Sequence, residues 1–125
     1  RQVMTQTYKT VKLEEMTVFE DSPPVDNFFG YRLRCARQLL GLSQDKLGVL
    51  IGLDEHTASA RISRYETGAH EPPIKTARLL ASVLGVPLAY LYCEDNRIAA
   101  LIVKAISLTD EQWDELTSFL INLDK

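Results

Sequence analysis

The chain has 125 residues, 46% hydrophobic and 25% charged, which suits one compact domain with an arm and an appendage and supplies enough apolar side chains for a core. No apolar run approaches the ~20 residues of a membrane span, and the N-terminus lacks the basic-then-apolar build of a secretory signal, so a cytoplasmic protein is expected. The net charge of −3 weighs against a nucleic-acid partner, but charge is unevenly spread.

Residues 1–27 carry 3 basic and 5 acidic groups, residues 28–72 carry 6 and 5, and residues 73–125 carry 5 and 7. Phosphate binding depends on the local patch rather than the chain total. The middle segment is the one with a positive balance, and its excess is small, so non-specific affinity should be modest. Cys35 and Cys93 lie far apart in sequence with no metal-ligand spacing, and free thiols are expected rather than a disulfide framework. His56 and His70 have no partner cluster, so no metal and no cofactor are assigned.

Residues 1–27 are rich in Thr and acidic residues and end in Ser22-Pro23-Pro24. The segments 8–13 and 16–19 have weak strand character. Two readings stand for this N-terminal arm: a mobile segment, or a short β arm that joins a partner subunit.

Helical periodicity begins at Phe28. Leu33, Ala36, Arg37 and Leu40 share one face, and Gly41 closes that helix. Ser43 can cap a second helix with Leu47, Leu50 and Ile51 facing inward and Gly52 at its end. Ala58, Ile62 and Tyr65 make the inner stripe of a third helix that stops at Gly68. Pro73 fits the first turn of a fourth, with Ala77, Leu80, Ala81 and Leu84 inward and Gly85 at its end. Pro87 opens a short fifth helix containing Leu88, Leu91 and Tyr92.

Two more helices follow Asn96. One carries the stripe Ile98, Leu101, Ile102, Ala105 and Ile106. The other starts at the capping box Thr109-Asp110-Glu111-Gln112 and carries Trp113, Leu116, Leu120 and Leu123. The expected fold is all-α, five helices over residues 28–93 with two further C-terminal helices over 94–125.

The run Gly41-Leu42-Ser43-Gln44-Asp45-Lys46-Leu47, then Gly52, then Ile62-Ser63-Arg64-Tyr65-Glu66-Thr67-Gly68 resembles the helix-turn-helix of the lambdoid phage repressor and Cro type, the XRE-type family of transcriptional regulators. Residues 77–91, with Leu84-Gly85-Val86-Pro87, resemble the fourth and fifth helices of the same domain. In that geometry the second helix of the motif lies in the DNA major groove while the first braces it across the backbone. Ser43 and Gln44 would then offer a hydroxyl, an amide and backbone N–H groups to a phosphate, and the residue matching Gln44 also touches a base in some family members. Ser59, Ala60, Ser63 and Arg64 should face outward.

Arg64 is the strongest candidate for direct readout, because its forked donors match the two acceptors of guanine. Its alternative is a phosphate contact or a solvated charge. Ala60 offers an apolar touch to a thymine methyl, and Arg61 points sideways to the backbone. Arg32 and Arg34 read as phosphate contacts or solvated charges. The resemblance implies that Arg37 and Glu66 form a structural ion pair between the first helix and the end of the recognition helix, with a DNA contact for Arg37 as the alternative. The chain departs from the family between Gly52 and Ile62, where it has four residues more than usual. These either add a helical turn capped by Asp54, placing Glu55 and His56 at the groove edge, or widen the loop.

A single helix-turn-helix reads about half a turn of DNA, so a homodimer on double-stranded DNA is expected, joined by the C-terminal helices with the N-terminal arm as a further contributor. The Trp113–Leu123 stripe either pairs across a two-fold axis or packs back onto the preceding helix. The leading function is a dimeric repressor reading a palindromic operator. The alternatives are the antitoxin of a toxin–antitoxin pair, and an interaction module that has lost DNA binding. No nucleophile with a base, paired carboxylates or Gly-rich phosphate loop is present in a setting that suggests catalysis. No membrane and no small-molecule ligand are expected as partners.

Overall fold

A computed structural model describes residues 26–125. The arm expected over 1–27 falls, up to residue 25, outside the described residues. The rest is helical: α1 (Phe28–Leu39), α2 (Gln44–Leu50), α3 (Glu55–Thr67), α4 (Ile74–Leu84), α5 (Leu88–Leu91), α6 (Asn96–Ala105) and α7 (Asp110–Leu123).

Local chemistry explains most boundaries. The Ser43 hydroxyl accepts from the Lys46 N–H at the start of α2, and the Asp54 carboxylate accepts from the His56 N–H at the start of α3. Each satisfies one of the N–H groups that a first turn leaves without a helical partner. The four extra residues before Ile62 are therefore a helical turn capped by Asp54, and α3 runs to 13 residues. Gly68 ends it at φ +83°, a left-handed conformation that a side chain would strain. Pro73 stands one position outside α4 as its N-cap rather than inside the first turn.

Leu33 and Ala36 from α1, Leu47 from α2, Ile62 and Tyr65 from α3, Leu80 and Leu84 from α4, and Leu91 from α5 meet in one buried cluster. Each fully buried leucine contributes roughly 1.5–3 kcal/mol of transfer free energy. The most extensive helix pair is α2 with α3. It is possible because position 48 is glycine: a Cβ there would come within 2.6 Å of the Ala58 Cβ. α2 and α3 are thus locked together at backbone distance.

Two inward assignments need correction, in α2 and in α6, and the fifth helix stops at Leu91 with Tyr92 as its C-cap. Leu50 is exposed, since α2 presents Leu47 and Gly48 to the core and turns Leu50 to solvent. Tyr92 is also exposed and stacks at a tilt on Phe29, with ring centroids 5.1 Å apart. In α6 the buried face is Ala99, Ala100 and Val103, which join the main cluster, while Ile98, Leu101 and Ile106 face out. Six consecutive apolar residues, Ile98 to Val103, give α6 two candidate faces, and the smaller one fits against α5.

Among the described residues no helix is long and apolar enough to cross a membrane. Cys35 and Cys93 are free, half-buried thiols, and burial pushes the Cys35 thiol up from its ordinary value.

Candidate nucleic-acid interface

The recognition helix is held at its C-terminal end by one carboxylate with several partners. Arg37 donates from Nε to Glu66 Oε2 at 2.6 Å and from Nη2 to Glu66 Oε1 at 3.1 Å, a fork-to-fork pair. The third guanidinium nitrogen, Nη1, donates to the Leu42 carbonyl in the turn before α2. The Gln44 amide donates to Glu66 Oε1 at 3.1 Å, and the Asn27 amide donates to the Glu66 carbonyl at 2.9 Å. Glu66 therefore ties α3 to the start of α1, the end of α1 and the start of α2 at once. Its side chain is 4% exposed and that of Arg37 12%, so neither is available to a ligand. Arg37 belongs to the scaffold.

With Ala58, Ile62 and Tyr65 buried, the 3.6-residue period puts His56, Ala60, Arg64 and Thr67 on the opposite side of α3. All four are exposed, and Ser63 beside them is half-buried. Ser59 and Arg61 are exposed on the two flanks of that face. Ser59 lies on the α2 side, where its hydroxyl donates to Gln44 Oε1 at 3.4 Å. Arg64 stands two residues before Glu66, so the braced end of α3 is also the end that carries the free guanidinium.

The front of α2 differs from the sequence expectation in detail. Both ends of the Gln44 amide are engaged within the chain, by Glu66 and by Ser59. The Ser43 hydroxyl is a cap acceptor, and it also holds the Asp45 carboxyl below the usual carboxylate range. Gln44 thus acts first as a strut between brace and recognition helices. Arg34 keeps an exposed position on α1.

Arg32 does not. It is 1% exposed, with its guanidinium bonded to the Cys93 carbonyl and to Asn96 Oδ1, so its reading as a phosphate contact or solvated charge is corrected. Lys46, exposed in the first turn of α2, was given no role from sequence. It lies next to the capping serine, and that adjacency was the available signal.

Comparisons with known proteins agree with this geometry. The family model for the helix-turn-helix matches residues 33–91, from within α1 to the end of α5. The crystal structure of the transcriptional regulator BswR superposes with a TM-score of 0.71 at 49% identity, covering 74% of this chain and 92% of that one. The chain belongs to the XRE-type helix-turn-helix family of transcriptional regulators. Uncharacterized HTH-type transcriptional regulators of Sinorhizobium medicae (strain WSM419) and Rhizobium meliloti (strain 1021) are each 30% identical over 69 residues, 55% of this chain. The chain spans about half the length of these curated relatives, 47% in each case. Within the family pattern α2 is the brace and α3 the recognition helix, and the present chain differs in the extra N-terminal turn of α3.

Proposed function

We propose that the chain binds double-stranded DNA sequence-specifically as a homodimer, reads a palindromic operator with α3 in the major groove, and acts as a repressor by occupying that site. The observation that carries the reading is the outer face of α3, where Ala60, Ser63 and Arg64 stand free of the core on a helix whose far side is braced through Glu66. Arg64 donates to a guanine, Ala60 touches a thymine methyl, and Arg61, Arg34 and Lys46 meet phosphates. Ser59, whose proton is given to Gln44, turns lone pairs outward and suits a base amino group. Residues 28–93 form the reading head and residues 94–125 the dimerisation appendage.

The dimer rests on α7. Its 14 residues start from a complete capping box, yet none is buried. Leu116 and Leu120 line an apolar groove of about 440 Å³ with Leu101, Ile102, Ala105 and Leu108 of the α6 side. Trp113, Phe119 and Leu123 are 45%, 61% and 64% exposed. An isolated helix of this length is marginal in water, and an apolar face this continuous marks an interaction surface. A second α7 across a two-fold axis matches it residue for residue.

The test is selection of bound duplexes from a random pool, with Arg64→Ala alongside at fixed salt. Two inverted half-sites that each relax at one position in the variant are expected. A folded wild-type protein that enriches no sequence contradicts the reading.

A further inference from the structure

Among the described residues Arg32 is the largest fully buried side chain, and its cation makes no ion pair with a carboxylate. It leaves α1 and crosses to the joint between α5 and α6. Nε donates to the Cys93 carbonyl at 2.8 Å and Nη1 to Asn96 Oδ1 at 2.9 Å. The guanidinium carbon stands 5.4 Å from the centre of the Tyr31 ring and 5.7 Å from that of Tyr90, within cation–π range. Nη2 has no hydrogen-bond partner among the described residues.

For stability alone this is a poor choice, since a buried cation carries a desolvation cost that an apolar side chain of similar volume avoids. What the guanidinium adds is direction. Two bonds from one planar guanidinium, with two rings within cation–π range of it, fix both the distance and the rotation of the α6 start relative to α1. Among the described residues α6 also packs on α5 through the small side chains Ala99, Ala100 and Val103, which set distance better than angle. α7 follows α6 after a short turn, so the direction of α6 decides where the apolar face of α7 is presented relative to α3.

We infer that Arg32 is a positioning residue that fixes the angle at which α6 and α7 leave the reading head, and thereby sets the separation of the two half-sites the dimer accepts. The inference rests on the dimeric reading above. It places Arg32 in neither the DNA contacts nor the subunit interface: it acts through Cys93 and Asn96. Binding of the second half-site is an intramolecular event whose effective concentration depends on how well the two heads are held at the right spacing. Loosening the joint should therefore blur the spacing and leave the half-site letters unchanged.

The experiment is selection from a pool in which two copies of the wild-type half-site are separated by randomised spacer lengths, using the wild type, Arg32→Met and Asn96→Ala. Methionine fills the volume without directional bonds. Asn96→Ala removes the α6 end of the tie from outside the head core and carries the comparison if Arg32→Met fails to fold. The wild type is expected to enrich one spacing. The variants are expected to spread over neighbouring spacings and to lose about tenfold affinity for the wild-type spacing, with affinity for a single half-site unchanged. Folded variants that keep the single spacing overturn the inference and leave the dimeric reading intact. Variants that lose affinity for a single half-site also overturn it, because Arg32 would then act on the head itself. A wild type indifferent to spacing overturns the dimeric reading, and the inference with it.

Discussion

The head and the tail of this chain are helices of similar quality with opposite packing. In the head, Leu33, Leu47, Ile62, Leu80, Leu84 and Leu91 are completely buried, and α3, whose outer face is polar, needs nothing further to be stable. In the tail, α7 is longer than α1 and has a better N-terminus, with the Thr109 hydroxyl accepting from the Gln112 N–H and the Gln112 side chain accepting in return from the Thr109 N–H. Yet it buries no residue. Capping decides where a helix starts. It does not decide what covers the apolar face, and in the proposed dimer that cover is a second α7.

The comparison breaks most visibly in the head core. Leu80→Ala leaves a cavity where four helices converge and is expected to cost about 2–5 kcal/mol, read as a lowered denaturant midpoint of the whole head. Glu66→Ala strands the Arg37 cation and releases Gln44, at a cost of about 3 kcal/mol. DNA binding should fall further than this stability loss accounts for, because α3 loses its brace. Both effects belong to the head and should be the same in a monomer.

Leu120→Asp sharpens the contrast from the other side. The head should unfold at the same temperature as in the wild type, while the mass in solution drops to that of one chain. Affinity for a two-half-site duplex should fall about 100-fold through lost avidity. The smallest effect is expected at the joint. The Asp95 carboxyl caps α6 through the Ile98 and Arg97 N–H groups and is held below the usual carboxylate range by them, Ile98 foremost. A depressed folded-state pKa stabilises above the ordinary carboxylate value, and that contribution is lost as pH falls through it toward the depressed one. Protection of the Arg97 and Ile98 amides, corrected for the intrinsic pH dependence of exchange, should fall on acidification in the wild type, and Asp95→Asn should flatten that fall.

Much of the head was legible in the sequence because its signals are local. Ser43 and the glycines at 41, 52, 68 and 85 mark ends within a turn of where they act, and Ala58, Ile62 and Tyr65 have the period of one buried face. The recognition face follows from that stripe by subtraction. Three features were not legible, each for a physical reason. Arg32 reads as a surface cation until Cys93 and Asn96, more than 60 positions away, are folded against it. Gln44 has the composition of a phosphate or base contact, and its engagement by Ser59 and Glu66 depends on how closely α2 and α3 approach at Gly48. In α6 an unbroken apolar run leaves periodicity with nothing to choose between, and the choice falls to the size of the gap against α5.

The most direct measurement of the central claim is the mass of the complex between the full chain and the duplex enriched from the random pool, by native mass spectrometry. Two chains on one duplex are expected for the wild type, and a single chain on the same duplex for Leu120→Asp. A wild-type complex containing one chain, or the same two-chain complex from Leu120→Asp, would contradict an account in which the head reads and the tail pairs.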